Sequence, residues 1–338
     1  MSQTLAVKYR PKTLSDVLGQ NITVKILQKV IEKRNFRSCY LFAGDSGCGK
    51  TSCARAFAMA INQGCGFPEE IDAASHGGVE DVRAIIEAAK QRSLDSEYKI
   101  FIIDECHAIT SAGWQAFLKA IEEPAPYTIY IFCTTEPNKL PETILNRMQR
   151  YNITKISALD IQQRLLAICA AEGFTNYSDT CDLISKTSHG CMRDAIMKLE
   201  QCANYSTDLS LENTETVLGI DLHKMMFSLI WALQDKDEKM IFKVTDKLNA
   251  SGIDLKNFVN LLLEFTIDLS KFKLFGDINL TNIPVHFANG GAVQSTVQAV
   301  SAEWFTALID VLLAIKLEIK YDVSYKSTIE AFLLKFCR

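Results

Sequence analysis

The chain of 338 residues reads as an α/β protein: a mainly parallel sheet with helices on both faces, followed by a helical lid and an all-helical C-terminal domain. Three observations predict this. Short apolar runs alternate with helix-period stretches through the first half, as a doubly covered parallel sheet requires. The run Cys39-Tyr40-Leu41-Phe42-Ala43 leads straight into a glycine-rich turn and a helix. From Ser157 the strand signal disappears and every strong pattern is helical. The predicted divisions are residues 1–157, 158–205 and 206–338.

Taken in order, the segment from Lys8 to Gln20 is extended before Pro11 and turns at Gly19. A helix follows from Ile22 to Lys33, with Ile22, Ile26 and Val30 on one stripe and Lys25, Lys29 and Lys33 on another. That basic row, continued by Arg37, is a solvated helix face or a phosphate track. Beyond the glycine-rich turn and its helix comes the loop Gly64–Pro68, then the short strand Glu70–Ala73. Ser75-His76-Gly77-Gly78 opens a helix from Val79 to Gln91, whose apolar face is Val82, Ile85, Ile86 and Ala89 while Arg83 projects elsewhere. The strand Lys99–Glu105 ends in two acids, Asp104 and Glu105, and is followed by a helix from about Ser111 to Ile121, stopped at Glu122-Glu123-Pro124. Another buried strand, Thr128–Cys133, ends in Thr134-Thr135. Three helical patterns then make the lid: Ala158 to Ala171, Ser178 to Ser188 and Met192 to Ala203. Tyr205–Asp208 is the linker, and Leu261–Phe265 and Leu312–Leu317 are the most apolar stretches beyond it. They are a bundle core or a face for packing against copies of the chain.

The turn Gly44-Asp45-Ser46-Gly47-Cys48-Gly49-Lys50-Thr51 fits the phosphate-loop pattern G-x-x-x-x-G-K-[ST] between a buried strand and a helix, the context that gives the pattern meaning. Glycines let successive backbone N–H groups turn inward around a triphosphate, and the helix adds the positive end of its dipole. Lys50 is placed to reach the β/γ-phosphates and Thr51 to hold Mg²⁺. Asp104 completes that metal shell, and Glu105 orients or deprotonates an attacking water. The two acids serve this chemistry or cap the helix that follows. Together the two elements make a nucleoside-triphosphate site with the parts needed for hydrolysis.

Composition sets the outer limits. With 48% hydrophobic and 22% charged residues the chain can bury a core. Charges interrupt every apolar stretch, so no membrane span is expected. The first residues lack the apolar core of a secretory signal, which points to a soluble intracellular protein. Eleven cysteines, mostly within apolar patterns and with no C-x-x-C pair, read as small buried hydrophobes and not as disulfides or a zinc site. The net charge of -4 excludes a general polyanion binder but leaves room for a local DNA surface.

With these pieces placed, the chain resembles the gamma/tau subunits of bacterial DNA polymerase III, the clamp-loader AAA+ ATPases, and more distantly the replication factor C small subunits. The resemblance runs over nearly the whole length. It is densest in Lys8–Pro11, the phosphate loop, Glu70–Ser75, Ile103–Glu105, Leu118–Pro124, Thr134–Glu136, Lys139–Pro141 and Gly190–Ala195. It implies an AAA+ sheet, a lid and a helical collar. It implies that Tyr9, Arg10, Pro11 and Val17 enclose adenine and that the loop from Gly44 through Ser52 holds the phosphates of ATP with Mg²⁺. Thr135 then corresponds to the sensor-1 residue and Arg193 to the sensor-2 arginine on the γ-phosphate. Arg147, in Asn146-Arg147-Met148, corresponds to the arginine that acts on ATP bound by the neighbouring subunit, a role worth roughly 10³ to 10⁵ in rate. Gly78 and Arg83 match a segment that touches the DNA backbone, although Arg83 can equally pair with Glu80.

The implied partners are other clamp-loader subunits in a homo- or hetero-oligomeric pentamer, a sliding clamp and primer–template DNA, with no membrane. The implied setting is the cytoplasm of a bacterium, or of a host if the source is viral. Two departures stand out. The interval Ile61–Glu69 holds Cys65 alone where relatives carry a four-cysteine zinc module, so zinc is not expected. Asn146-Arg147-Met148 replaces the family's Ser-Arg-Cys. The stop at Arg338 matches the short gamma form, without the tau tail. The implied work is opening a clamp and loading it on primed DNA. The alternatives are a nucleotide-binding scaffold subunit or another AAA+ DNA motor, such as a helicase loader.

Overall fold

The computed structural model describes residues 3–218, 221–250, 254–284, 287, 291–320 and 325–337. The chain forms two compact units, Met1–Ile168 with Ser188–Glu200, and Cys169–Thr187 with Gln201–Arg338. Residues 158–205 are therefore divided between them.

The first unit opens with a short helix, α1 (Leu5–Lys8), and a 3-10 turn at Leu14–Asp16, followed by α2 (Asn21–Glu32). The elements β1 (Cys39–Ala43), α3 (Lys50–Ile61), β2 (Glu69–Asp72), α4 (Val79–Ala89), β3 (Lys99–Asp104), α5 (Ser111–Glu122) and β4 (Thr128–Thr134) then alternate. A one-turn helix, α6 (Glu142–Leu145), and β5 (Gln149–Asn152) complete the sheet, whose order is β2-β3-β4-β1-β5 with every pair parallel.

Strand periodicity explains how both faces are covered. Tyr40 and Phe42 of β1 point to one side with Ile100, Ile102, Ile129 and Ile131, where Cys53, Phe57 and Ile61 of α3 and Leu27 of α2 pack on them. Leu41, Phe101, Ile103, Tyr130 and Phe132 point to the other, against Val82 and Ile85 of α4 and Trp114 and Phe117 of α5. Alternate residues serve opposite layers, so β1 and β4 are buried along their whole length and read as continuous apolar runs. The register aligns Ala43 with Thr134 and with Asn152, and Asp72 with Asp104, so the carboxyl ends of the strands form one rim. Ligands collect at that rim in open α/β sheets.

Two local features differ from the reading of the sequence. The stretch before Pro11 is not all extended, because α1 winds Leu5–Lys8 into a turn anchored by the buried Leu5. The strand β5 has no counterpart among the expected elements. It is a four-residue edge strand in which only Tyr151 is buried, so its sequence Gln-Arg-Tyr-Asn carries almost no apolar alternation.

The helices α7 (Ala158–Glu172), α8 (Ser178–Thr187) and α9 (Met192–Tyr205) follow. Beyond α8, the second unit includes α10 (Leu211–Leu218), α11 (Asp221–Gln234), α12 (Glu238–Ala250), α13 (Leu255–Phe275), a 3-10 turn at Ile278–Leu280, α14 (Ala292–Ala299), α15 (Ala302–Glu318) and α16 (Tyr325–Cys337). The long α13 starts at Asp254, whose carboxylate accepts from Lys256 N, and ends at Gly276 with φ of 70°. Its residues Leu262 and Leu269 meet Phe305, Leu308 and Leu312 of α15 in one core. Of the two most apolar stretches, most of Leu261–Phe265 is buried there, whereas Leu313 and Leu317 face outward. No described helix is long and apolar enough to cross a membrane. All eleven cysteines are free thiols, and among them Cys65 is exposed and Cys191 half-buried.

Candidate nucleotide site

The rim of the sheet carries a cavity of about 420 Å³, contained within the first unit. Its floor is the turn between β1 and α3. Gly47 and Gly49 have φ of 70° and 101°, a backbone region that side chains disfavour. A Cβ on Gly47 would also sit 2.0 Å from Cys191 Sγ. The turn thus closes only with glycine there, and it brings the amides of Gly47 through Thr51 to the N-terminus of the twelve-residue α3.

Lys50 is buried in this turn, and its Nζ donates to the Asp45 carbonyl at 2.9 Å. An ammonium held in the interior by one carbonyl is suited to an anion arriving beside it. Thr51 Oγ1 donates to Asp104 Oδ2 at 2.7 Å, which joins α3 to the end of β3. A hydroxyl and a carboxylate in contact make a hard-oxygen pair of the kind that holds Mg²⁺ with the help of substrate phosphates. These donors fit a metal–triphosphate: amides and Lys50 for the phosphates, Thr51 and Asp104 for the cation.

Glu105 follows Asp104 with φ of 46° and ψ of 42°, a left-handed conformation uncommon for a residue with a side chain. Such strain persists where the surroundings hold it. Here Thr135 Oγ1, one residue past β4, donates to Glu105 Oε2 at 3.2 Å. His107 Nδ1 lies 3.4 Å from the same oxygen and 3.2 Å from Thr134 Oγ1. The carboxylate is therefore fixed from two sides, and it lines the cavity along with Asp104.

The opposite wall comes from the N-terminal segment and α9. Tyr9, Arg10, Pro11 and Val17 line it, as does Arg193, whose Cβ lies 3.7 Å from where a Gly47 Cβ would stand. Burial, and then the neighbouring Arg55, holds the Arg10 pKa below the usual arginine value, with Arg193 adding to the effect. Lys50 on the floor and Arg193 on this wall direct a positive field at the phosphate turn, where an anionic ligand would lie.

Ser46, Cys48 and Ser52 of the turn also line the cavity, and the other expected residues lie off it. Gly44 continues β1, donating its N–H to the Thr134 carbonyl, while Asp45 gives its carbonyl to Lys50. Thr135 reaches the cavity only through Glu105. Arg147 is an exposed residue after α6; its Nη1 donates to the Thr143 carbonyl and its Nη2 pairs with Glu122 at 2.6 Å. Gly78 caps α4, with its N–H donating to Asp81 Oδ2 at 3.1 Å. Arg83 is exposed and pairs with Glu80 at 2.7 Å.

Two wall residues, Arg164 and Glu200, and the neighbouring His107 escape sequence reasoning. Arg164 and Glu200 carry no motif and reach the site from α7 and α9 by contacts to residues 155 and 195 positions away. His107 does have a signal, since it follows the Asp104-Glu105 pair on the same turn.

Known proteins share both parts of this architecture. Residues 69–157 match the family model described as DNA polymerase III, delta subunit. Residues 209–338 match the one described as DNA polymerase III subunits gamma and tau domain III. The DNA polymerase III subunit gamma/tau of Mycoplasma genitalium is 32% identical over 303 residues, 83% of this chain and 51% of that protein. The subunit tau of Bacillus subtilis is 29% identical, over 99% of this chain and 63% of that protein. The subunit gamma of Buchnera aphidicola is 28% identical over 82% of each. The chain spans about half the length of the Mycoplasma relative. Among solved structures, Thermotoga maritima RuvB, titled a Holliday junction branch migration motor, superposes with a TM-score of 0.53 at 18% identity, covering 66% of this chain and 79% of its own. That likeness shows the fold alone, a parallel sheet covered by helices and followed by further helices. In its two family-model matches and in these relatives, the chain is thus similar to the gamma and tau subunits of DNA polymerase III over most of its length.

Proposed function

We propose that this chain is an ATP-hydrolysing clamp-loader subunit that opens a sliding clamp and places it on primer–template DNA in the cytoplasm. The observation that carries the reading is the convergence on one cavity of a phosphate-type turn with its buried Lys50, the Thr51–Asp104 pair and a carboxylate, Glu105, fixed by a threonine.

Each residue has a defined task. The turn amides and Lys50 bind the phosphates and neutralise part of their charge. Thr51 and Asp104 would hold Mg²⁺, which when bound would neutralise further charge on the triphosphate. Glu105 orients a water and accepts its proton, and Thr135 keeps that carboxylate aimed. Arg193, on α9, senses the terminal phosphate. Tyr9, Arg10, Pro11 and Val17 enclose the base.

Arg147 acts on the nucleotide of an adjoining subunit, which its exposure and its absence from this cavity's lining support. Hydrolysis then depends on assembly with other loader subunits, in a pentamer. Gly78 and Arg83 contact the backbone of the primed DNA, a contact that carries no base information. Residues 158–205 serve as the lid and 206–338 as the collar.

The test is turnover by the full chain, alone and with partner subunits, a sliding clamp and primed DNA. Slow turnover alone and stimulation only when all are present is the expected result. Loading of clamps by Lys50→Ala protein at the parental rate would remove this function.

A further inference from the structure

Two long-range contacts help to hold the wall formed by the N-terminal segment. Arg164 Nη2, on α7, donates to the Tyr9 carbonyl at 3.0 Å, and its guanidinium carbon lies 5.9 Å from the centre of the Tyr9 ring. Glu200 Oε1, on α9, accepts from Leu5 N at 3.1 Å. Both side chains also line the cavity. One ionised group therefore grips each end of the turn Leu5–Lys8 and its cap, Tyr9.

Position along α9 shows which end of a ligand these residues serve. Arg193 sits against the phosphate turn. Glu200 is seven residues further on, about 10.5 Å away at the helical rise of about 1.5 Å per residue. That separation is comparable to the distance from the terminal phosphate to the base in an extended nucleoside triphosphate. Neither Arg164 nor Glu200 is among the residues at the phosphate turn, and the same cavity is lined by Val7, Tyr9, Ile196 and Met197, apolar groups of the kind that take a flat ring.

We propose that Arg164 and Glu200 are positioning residues that latch the segment Thr4–Pro11 onto α7 and α9, and that this latch sets affinity for the nucleoside part of the ligand and not for its phosphates. The proposal rests on the nucleotide reading of the cavity. An N-terminal segment stays ordered only where it is tied down. Here Leu5 is the one buried side chain of α1, so the two charge-assisted hydrogen bonds supply much of the tie. Removing either frees the wall that meets the base while leaving the turn, Lys50, Thr51 and Asp104 untouched.

Isothermal titration of the full chain with Mg²⁺-ATP and, separately, with Mg²⁺-tripolyphosphate tests this. Arg164→Ala and Glu200→Ala should each weaken ATP by about tenfold or more, the usual loss for one charged hydrogen bond. Tripolyphosphate affinity should stay at the parental value, which also shows that the variants are folded. Arg164→Lys and Glu200→Gln, which keep a donor and an acceptor, should recover part of the ATP affinity. Unchanged ATP affinity in both alanine variants, or equal weakening of ATP and tripolyphosphate, overturns the latch and leaves the nucleotide reading standing. A parental chain that binds neither ligand overturns the nucleotide reading, and the latch with it.

Discussion

Thr51 Oγ1 and Asp104 Oδ2, 53 residues apart in sequence, meet at 2.7 Å and tie the start of α3 to the end of β3. Neither residue has to move far to share a cation, so the pair is prepared before any ligand arrives. Thr51→Ala or Asp104→Asn should raise the Mg²⁺ concentration for half-maximal turnover by about tenfold or more. A Mg²⁺ titration at fixed ATP reads this directly, and an unshifted midpoint in both variants would place the cation elsewhere.

Arg147 separates activity from stability. Its pair with Glu122 is solvent-accessible on both sides, so its loss should cost under about 1 kcal/mol in a denaturant melt. Turnover in an assembly should instead fall by roughly 10³ when Arg147→Ala subunits adjoin parental ones. Mixing experiments in which only the mutated subunit's own ATP is affected would contradict a role on the neighbour.

Arg83 makes a sharper case, because its exposed pair with Glu80 is only three residues away along α4. If it also meets a DNA phosphate, Arg83→Ala should weaken loading equally on unrelated sequences and flatten the salt dependence by about one unit of slope. An unchanged slope would leave Arg83 as a surface ion pair and nothing more.

The buried thiols give the first unit a high-pH limit. Burial pushes Cys39 and Cys53 up to about 12 from an ordinary 9.0. The unfolded chain therefore loses those protons first. Stability should be full below pH 9.0 and fall as pH rises toward about 12. Urea midpoints measured across that window should decline, and Cys53→Ala should shallow the decline. An equal slope in the variant would assign the loss to other groups.

How much of this was legible depends on how locally each feature is encoded. The strands β1, β3 and β4 are buried on both faces, so their apolar runs announce them. The phosphate turn is legible because its glycines and Lys50 act through backbone geometry within eight residues of chain. The edge strand β5 exposes three of its four residues in whole or part, and its pattern is that of a loop. Glu105 is legible by type, yet its strained backbone and its bond from Thr135 come from the meeting of β3 with β4. Arg164 and Glu200 are the extreme case: an ordinary arginine and glutamate on amphipathic helices, given their place only when the N-terminal segment folds back onto α7 and α9.

The central claim is that this cavity holds ATP and that Glu105 cuts it. Equilibrium binding of ATP and single-turnover hydrolysis, measured together on the parental chain, Lys50→Ala and Glu105→Gln in Mg²⁺ buffer, test it most directly. The parent and Glu105→Gln should retain ATP while Lys50→Ala does not, and the Glu105→Gln rate should fall by roughly 10² to 10⁴. A parent that retains no ATP, or a Glu105→Gln chain that hydrolyses it at the parental rate, would contradict the claim.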